Sequence, residues 1–234
     1  MKKLLFLLTG LLLVAVINAQ SLDEIVKKYS SAIKSDQLAN VKTIKIKGKM
    51  SAMGMEMPME MFMKNPNKIK VVYSLNGQQM ISIFDGEKGY TINPMMGSSE
   101  PIELTGDQLK QIQNNNVFRN EILNYFNKSQ LSLEGEEDVN GKPAHKLKVA
   151  VAGGSPIYMF IDKSTNLLVK TSTTVDQMGT QMNVDSYMTD YTDNNGVVMP
   201  KKTTAMANGM EAAVITFDQV EVNVPMDDSV FKVK

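Results

Sequence analysis

The chain has no cysteine, no tryptophan and a single histidine, His145, in 234 residues. Without cysteine there is no disulfide, no thiolate nucleophile and no thiolate-bound metal, so burial alone must hold the fold. One histidine rules out a His pair, and as a general base His145 has no partner visible in the sequence. It alternates with Leu147 and Val149, which reads as a satisfied core histidine on their face. Charge excludes a further class. Twenty-five Lys and Arg balance 25 Asp and Glu, whereas nucleic acid wants a clustered basic surface. No glycine-rich phosphate loop follows a strand-like run. The acidic residues are scattered except for Glu134, Glu136, Glu137 and Asp138, which adjoin Asn140-Gly141 and read as a solvated hairpin end better than as a metal site. These absences point away from an enzyme and from a bound cofactor, and toward binding.

What the chain has in excess is methionine, 19 residues. Six of them fall at every second position: Met53, Met55, Met57, Met59, Met61 and Met63. A β-strand throws alternate side chains to opposite faces, so the run reads as one thioether-covered face. The other register holds Ala52, Gly54, Glu56, Pro58, Glu60 and Phe62, a mostly more polar set. Methionine is unbranched, polarizable and adaptable, which suits a surface for apolar ligands of variable shape and equally suits an irregular core. Thioethers also hold Cu(I), although that site would want histidine or cysteine nearby, and His145 is far away in sequence. Ile69, Val71 and Tyr73, alternating with Lys68 and Lys70, give a second strand with one greasy and one wet face. The candidate cavity lining is therefore the six methionines together with Ile69, Val71 and Tyr73.

The N-terminus carries a basic start, Met1-Lys2-Lys3, then an apolar run from Leu4 to Ile17 interrupted only by Thr9 and Gly10. Ile17-Asn18-Ala19 places a small residue before a cut at Ala19/Gln20. Residues 1–19 read as a cleavable secretory signal, too short for a comfortable transmembrane span, and residues 20–234 as one exported domain. An uncleaved anchor is the alternative. The cut site has no cysteine, so the chain is not expected to be a lipoprotein itself.

Ser21 to Ser35 reads as a helix capped by Ser21, with Asp23 and Glu24 in the first turn and Leu22, Ile25, Val26, Tyr29 and Ile33 at helical spacing. From about Val41 the pattern turns to short alternating segments. Asn76-Gly77, Asn140-Gly141, Asn195-Gly196 and Asn208-Gly209 each fall between β-like runs, the strongest short hairpin signal. A second helical region opens at Thr105, with Leu109, Ile112, Val117, Phe118, Ile122, Leu123, Tyr125 and Phe126 apolar, and the Asn114-Asn115-Asn116 triplet divides it. Strands resume at Leu131–Glu136, His145–Val151, Ile157–Ile161, Leu167–Val175, Met182–Tyr191, Val197–Ala205 and Met210–Val222. The expectation is an α+β meander of roughly ten strands, curved around two helical regions.

Several fragments, in order, carry a resemblance. They are Leu22-Asp-Glu-Ile-Val-Lys-Lys-Tyr29, Val41-Lys-Thr-Ile-Lys-Ile-Lys-Gly-Lys-Met50, Gly54-Met-Glu-Met-Pro-Met-Glu-Met-Phe-Met-Lys-Asn-Pro-Asn-Lys-Ile-Lys70 and Phe84-Asp-Gly-Glu-Lys-Gly-Tyr90. Tyr158-Met-Phe-Ile-Asp162, Asn195-Gly-Val-Val-Met-Pro200 and Val222-Asn-Val-Pro-Met-Asp-Asp-Ser-Val-Phe231 complete the set. Together they resemble the LolA/LolB-type periplasmic lipoprotein-sorting proteins over essentially the whole of residues 20–234. The resemblance implies an incomplete antiparallel β-barrel covered by helices, with an apolar cavity for acyl chains, in the periplasm and without chemistry. It implies lipoprotein acyl chains or another lipid as ligand, an inner-membrane donor and an outer-membrane acceptor as partners, and a monomer. It also implies a basic residue on an early strand that holds the helical lid shut. Lys70 is the matching position, although lysine lacks the bidentate fork of the arginine common there. The Thr105–Ser129 lid would move aside for the ligand, with the asparagine triplet either a hinge or an ordinary helix break. A sensor or interaction module using the same half-barrel is the other function class.

Overall fold

The computed structural model describes residues 20–114, 117–118, 120–177 and 180–233. The expected leader, residues 1–19, lies outside them, as do Asn115 and Asn116 of the proposed hinge.

The chain opens with α1 (Leu22–Ala32), whose first turn is closed by the Ser21 hydroxyl accepting from the Glu24 amide at 3.2 Å. Lys34 then takes a left-handed conformation, which ends the helix short of the expected Ser35 and starts the single turn α2 (Ser35–Leu38). Six strands follow: β1 (Thr43–Ala52), β2 (Met55–Lys64), β3 (Lys68–Leu75), β4 (Gln78–Phe84), β5 (Gly89–Asn93) and β6 (Ser98–Leu104). Two helices, α3 (Gly106–Asn114) and α4 (Glu121–Asn127), lead to seven more: β7 (Leu131–Val139), β8 (Lys142–Val149), β9 (Ile157–Asp162), β10 (Leu168–Gln177), β11 (Thr180–Asn194), β12 (Val197–Ala207) and β13 (Met210–Val222). The count is thirteen rather than ten because β4 to β6 are short and partly polar.

All thirteen form one antiparallel sheet in the order β6-β5-β4-β3-β2-β1-β13-β12-β11-β10-β9-β8-β7. Two meanders are thus sewn together where β1 pairs with β13. The seam includes Gly48, where a Cβ would stand 2.0 Å from the Thr216 carbonyl oxygen, so only glycine permits the approach. The sheet does not close. Its edges, β6 and β7, are blunted by Pro101 in the first and by a register shift at Gly135 and a run of acids in the second. Helix α3 follows the edge strand β6 in sequence, and α4 precedes the other edge strand, β7.

Directly paired residues share a face. The row Leu147, Met159, Thr171, Ser186, Ala205, Ala213, Ala52 and Met55 therefore crosses eight strands on one side of the sheet. This inner face carries the helices and holds two apolar clusters. One packs Ile25, Val26 and Tyr29 of α1 and Ile122 of α4 on Leu147, Val149, Met159 and Ile161. The other packs Ile112 of α3 on Ile44, Ile46, Met59, Met61, Met63, Ile69 and Val71, with Leu109, Val117 and Phe118 alongside. Between them the row is paved by half-buried Thr, Ser and Ala. The outer face is wetter, with Lys146 and Lys170 lying over Phe160 at 5.7 and 5.2 Å.

Candidate functional site

Strand β2 is the centre of the site. Met57, Met59, Met61 and Met63 are all buried on its inner face, while Glu56, Pro58, Glu60 and Phe62 face outward. Each methionine is flanked by partners of matching register: Met63 by Ile44 and Ile69, Met61 by Ile46 and Val71, Met59 by Gly48 and Tyr73, and Met57 by Met50. Ile69 and Val71 are buried in this cluster.

Two of the proposed residues do not join the row. Met53 is 93% exposed with φ 51°, followed by Gly54 at φ 74°, so these two make the β1–β2 turn and the alternation begins only afterwards. Met55 begins the strand but is half exposed at the open end. Lys70 is also misplaced for a lid contact. Its direct partner on β2 is Phe62, on the outer face, and the next outward residue of β3, Lys68, reaches Asp228 at 2.9 Å. The C-terminal 3-10 turn Asp228–Phe231 sits on that side, whereas α3 lies on the other.

Met59, Met61, Met63 and Tyr73 line a cavity of about 270 Å³, together with Ile46, Met199, Pro200, Ile215 and Phe217 from the neighbouring strands and Val117 above. Tyr73 also borders a second cavity, of about 510 Å³, between β3–β6 and α3. This one mixes Val71, Ile102, Leu104 and Ile112 with Ser82, Thr91, Asn93, Ser98 and Gln108. Helix α3 can approach this closely because β5 begins with Gly89, where a Cβ would stand 2.7 Å from Leu109 Cδ1.

The electrostatics of both cavities are bland. Among the described residues neither is lined by a Lys, Arg, Asp or Glu side chain, and burial pushes the Tyr73 phenol further up from its ordinary value. Among the described residues no three His, Cys, Asp or Glu side chains gather as a metal site, and no helix is long and apolar enough to cross a membrane. His145 is buried on the inner face of β8, its Nε2 3.0 Å from Gln20 Oε1. Burial lowers its pKa, with Glu136 opposing from the neighbouring strand. The walls can enclose and desolvate, and offer hydroxyls and amides to whatever enters.

The residues missed in the sequence are the polar ones of β4 to β6 and the contributions of β12 and β13. Pairing of β13 with β1 brings Ile215 and Phe217 to a strand about 165 residues earlier, which no local pattern announces.

No protein-family model matches the sequence, and no curated protein sequence matches it. Solved structures do match the fold. A DUF1329 family protein from Desulfovibrio piger superposes with a TM-score of 0.63 at 15% identity, covering 89% of this chain and 97% of that one. An outer membrane lipoprotein-sorting protein domain from Vibrio parahaemolyticus gives 0.61 at 10% identity, with 89% and 94% covered. A LolA superfamily protein from Nitrosomonas europaea gives 0.56 at 11%, with 88% and 97% covered. The open thirteen-stranded sheet, its helical cover and these superpositions together make this a LolA-like α+β fold.

Proposed function

We propose that the chain is an exported carrier that shelters the acyl chains of lipoproteins, or of similar lipids, against the methionine floor and takes them toward the outer membrane. The observation that carries this reading is the cavity enclosed by Met59, Met61 and Met63 below and Val117 above. Its volume is below the 300–1,000 Å³ of ordinary ligand pockets. Occupation by a long chain therefore requires the floor to yield and α3 and Val117 to lift. Methionine permits the first, because its side chain repacks at little cost. For the second, the contact of Leu109 with the backbone of Gly89 is only a side-chain tip, so the cost of lifting α3 falls mainly on Ile112, which is buried in the same cluster.

The energetics need a partner at each end. At about 0.8 kcal/mol per buried CH₂, a chain of fourteen carbons gains roughly 10 kcal/mol before costs. Such a ligand does not leave into water, so loading calls for an inner-membrane donor and unloading for an outer-membrane acceptor with a better site. Residues 1–19 would direct export to the periplasm, where residues 20–234 would act as a monomeric, chaperone-like carrier without chemistry. The likeness to a lipoprotein-sorting domain supports the class of ligand.

Native mass spectrometry of the protein recovered from the periplasm, followed by lipid extraction, tests the reading. Acyl species at near one-to-one ratio are expected. An empty protein that also takes up no fluorescent acyl probe would overturn it.

A further inference from the structure

We infer that one end of the sheet, the end that carries the β1–β2, β3–β4, β5–β6, β8–β9, β10–β11 and β12–β13 connections, docks on the surface of a lipid bilayer. The inference rests on the carrier reading above and adds to it the surface through which the ligand is exchanged.

Antiparallel pairing sends alternate connections to opposite ends of the sheet. Register places these six together: Ala52 of β1 stands opposite Ala213 of β13, Ala207 of β12 opposite Val184 of β11, and Thr173 of β10 opposite Ile157 of β9. Residues 53–54, 76–77, 94–97, 150–156, 178–179 and 208–209 make the connections, and not one of them is Asp, Glu, Lys, Arg or His. The opposite end is charged. Its connections 85–88 and 163–167 hold Asp85, Glu87, Lys88 and Lys163, and Lys64, Lys68 and Lys142 directly flank two others. Turns in water are usually polar. At the uncharged end Met53 is instead 93% exposed, Met210 73% and Met95 52%, with Met55, Val151 and Val175 exposed beside them. Apolar side chains collected at the tips of several hairpins mark a contact surface.

The composition of these tips selects the occupant. The six connections contain no aromatic residue and no arginine, the anchors that protein partners favour. Uncharged turns tipped by flexible thioethers suit a fluid hydrocarbon boundary, where a charge is expensive and a fixed shape is not needed. Glu56, Asp176 and Glu211 limit the depth, each two residues inboard of a turn. At the rise of a strand that is about 7 Å, the depth of an interfacial contact rather than of a span. The connection entering β7 also arrives at this end and carries Lys128, a cation at the level of the lipid phosphates.

The same end adjoins the site. Met59, Met61 and Met63 floor the smaller cavity, and Met57 and Met55 continue their row to the β1–β2 turn. Asn93 and Ser98, which bracket the 94–97 connection, line the larger one. The helical cover sits toward the charged end, with Leu109 against Gly89 at the start of β5 and Lys34 paired with Asp193 beside the 195–196 turn. An acyl chain drawn along β2 therefore passes between cavity and bilayer over thioethers, without crossing water.

The test is flotation of the protein recovered from the periplasm with phosphatidylcholine vesicles, beside uptake of N-phenyl-naphthylamine measured without vesicles. The parent should float, and raised salt should leave flotation unchanged because the contact is apolar. Met53→Ser, Met95→Ser and Met210→Ser together should lower partitioning about tenfold or more. Dye uptake by this variant should match the parent, since none of the three lines a cavity, and that match reports a folded protein. A parent that takes up dye yet stays off the vesicles, or a triple variant that floats equally well, overturns the docking inference and leaves the carrier reading standing. Flotation abolished by salt assigns the contact to charges elsewhere and overturns it too. So does a parent dimer, seen by sedimentation without flotation and dissolved in the triple variant, which gives the surface to a second copy. Flotation without dye uptake sinks the carrier reading alone.

Discussion

The two halves of the inner face are packed by different chemistry. Under α1 and α4 the sheet is filled by Ile25, Val26, Tyr29, Ile122, Leu147, Val149 and Ile161, with Met159 the one methionine among the buried members. Under α3 the comparable layer contains Met59, Met61, Met63 and Met199, and the two adjoining cavities border it. Branched and aromatic side chains have few rotamers and lock a helix in place, while unbranched thioethers fill space without fixing it. The half under α1 and α4 therefore has fewer ways to repack than the half under α3, where methionines are interleaved with branched residues such as Ile44, Ile46 and Ile69.

The largest expected effect tests that contrast directly. Leu147→Ala and Met63→Ala both truncate fully buried side chains. In the rigid half the cavity should persist and cost about 4 kcal/mol, near the upper end for such changes, whereas the neighbouring methionines should relax into the space at Met63 and hold the loss to about 2 kcal/mol. Chemical denaturation measures both. Equal losses would break the comparison.

The seam between the halves comes next. Gly48→Ala places a methyl group against the Thr216 carbonyl, which belongs to backbone and cannot swing away. A loss of about 3 kcal/mol is expected by denaturation. Amide exchange should show β1 and β13 opening while β7 to β9 remain protected, if the two meanders behave as separate units.

Oxidation separates the methionines by position. Mild peroxide should convert the exposed Met53 first, without changing dye affinity, because it lies in the turn. Conversion of Met59, Met61 and Met63 should follow only as α3 lifts, and sulfoxide on that floor should weaken binding about tenfold or more. Peptide mapping at graded exposure checks the order. Loss of binding in step with Met53 alone would move the site to the open end.

How much of this was readable beforehand follows the same division. The strand character of 55–63 and the shared face of Met57 to Met63 are local, fixed by period-two alternation, and so are the Asn-Gly turns, where Asn76, Asn140, Asn195 and Asn208 all take the left-handed conformation. Met53 misled because its alternation continues by coincidence through a turn that Gly54 makes possible. Lys70 was assigned by likeness to a motif, although strict alternation with Ile69 and Val71 already placed it on the outer face. The polar cavity was invisible, since β4 to β6 are short and its walls meet only through register. The β1–β13 seam is a contact between opposite ends of the chain.

A smaller, pH-dependent effect concerns the outer face beneath the adaptable half. The Asp228 carboxylate accepts from Lys64 at 2.6 Å and Lys68 at 2.9 Å, and these bonds pull its pKa from 3.8 to about 2. Because the folded value is the lower one, the clasp stabilises the fold fully above pH 4 and loses that contribution as pH falls from 3.8 toward 2. Asp228→Asn should therefore be less stable than the parent at pH 7 by an amount that has mostly gone by pH 2 and vanishes only below it, read from denaturant midpoints across that range. A gap that stays constant down to pH 2 would remove the clasp from the account.

The smallest effect is expected at Lys70. Its side chain leaves the sheet beside Phe62, on the face opposite α3, and the sheet itself separates it from both cavities. Lys70→Ala should change acyl-probe affinity by less than about twofold, within the range of an ordinary surface substitution. The same titration on Met61→Ala, which alters the cavity wall, should give a larger change. If Lys70→Ala instead matched or exceeded the Met61 variant, the ligand would have to engage the outer face. The distinction between an inner face that binds and an outer face that is merely solvated would then fail at its simplest point.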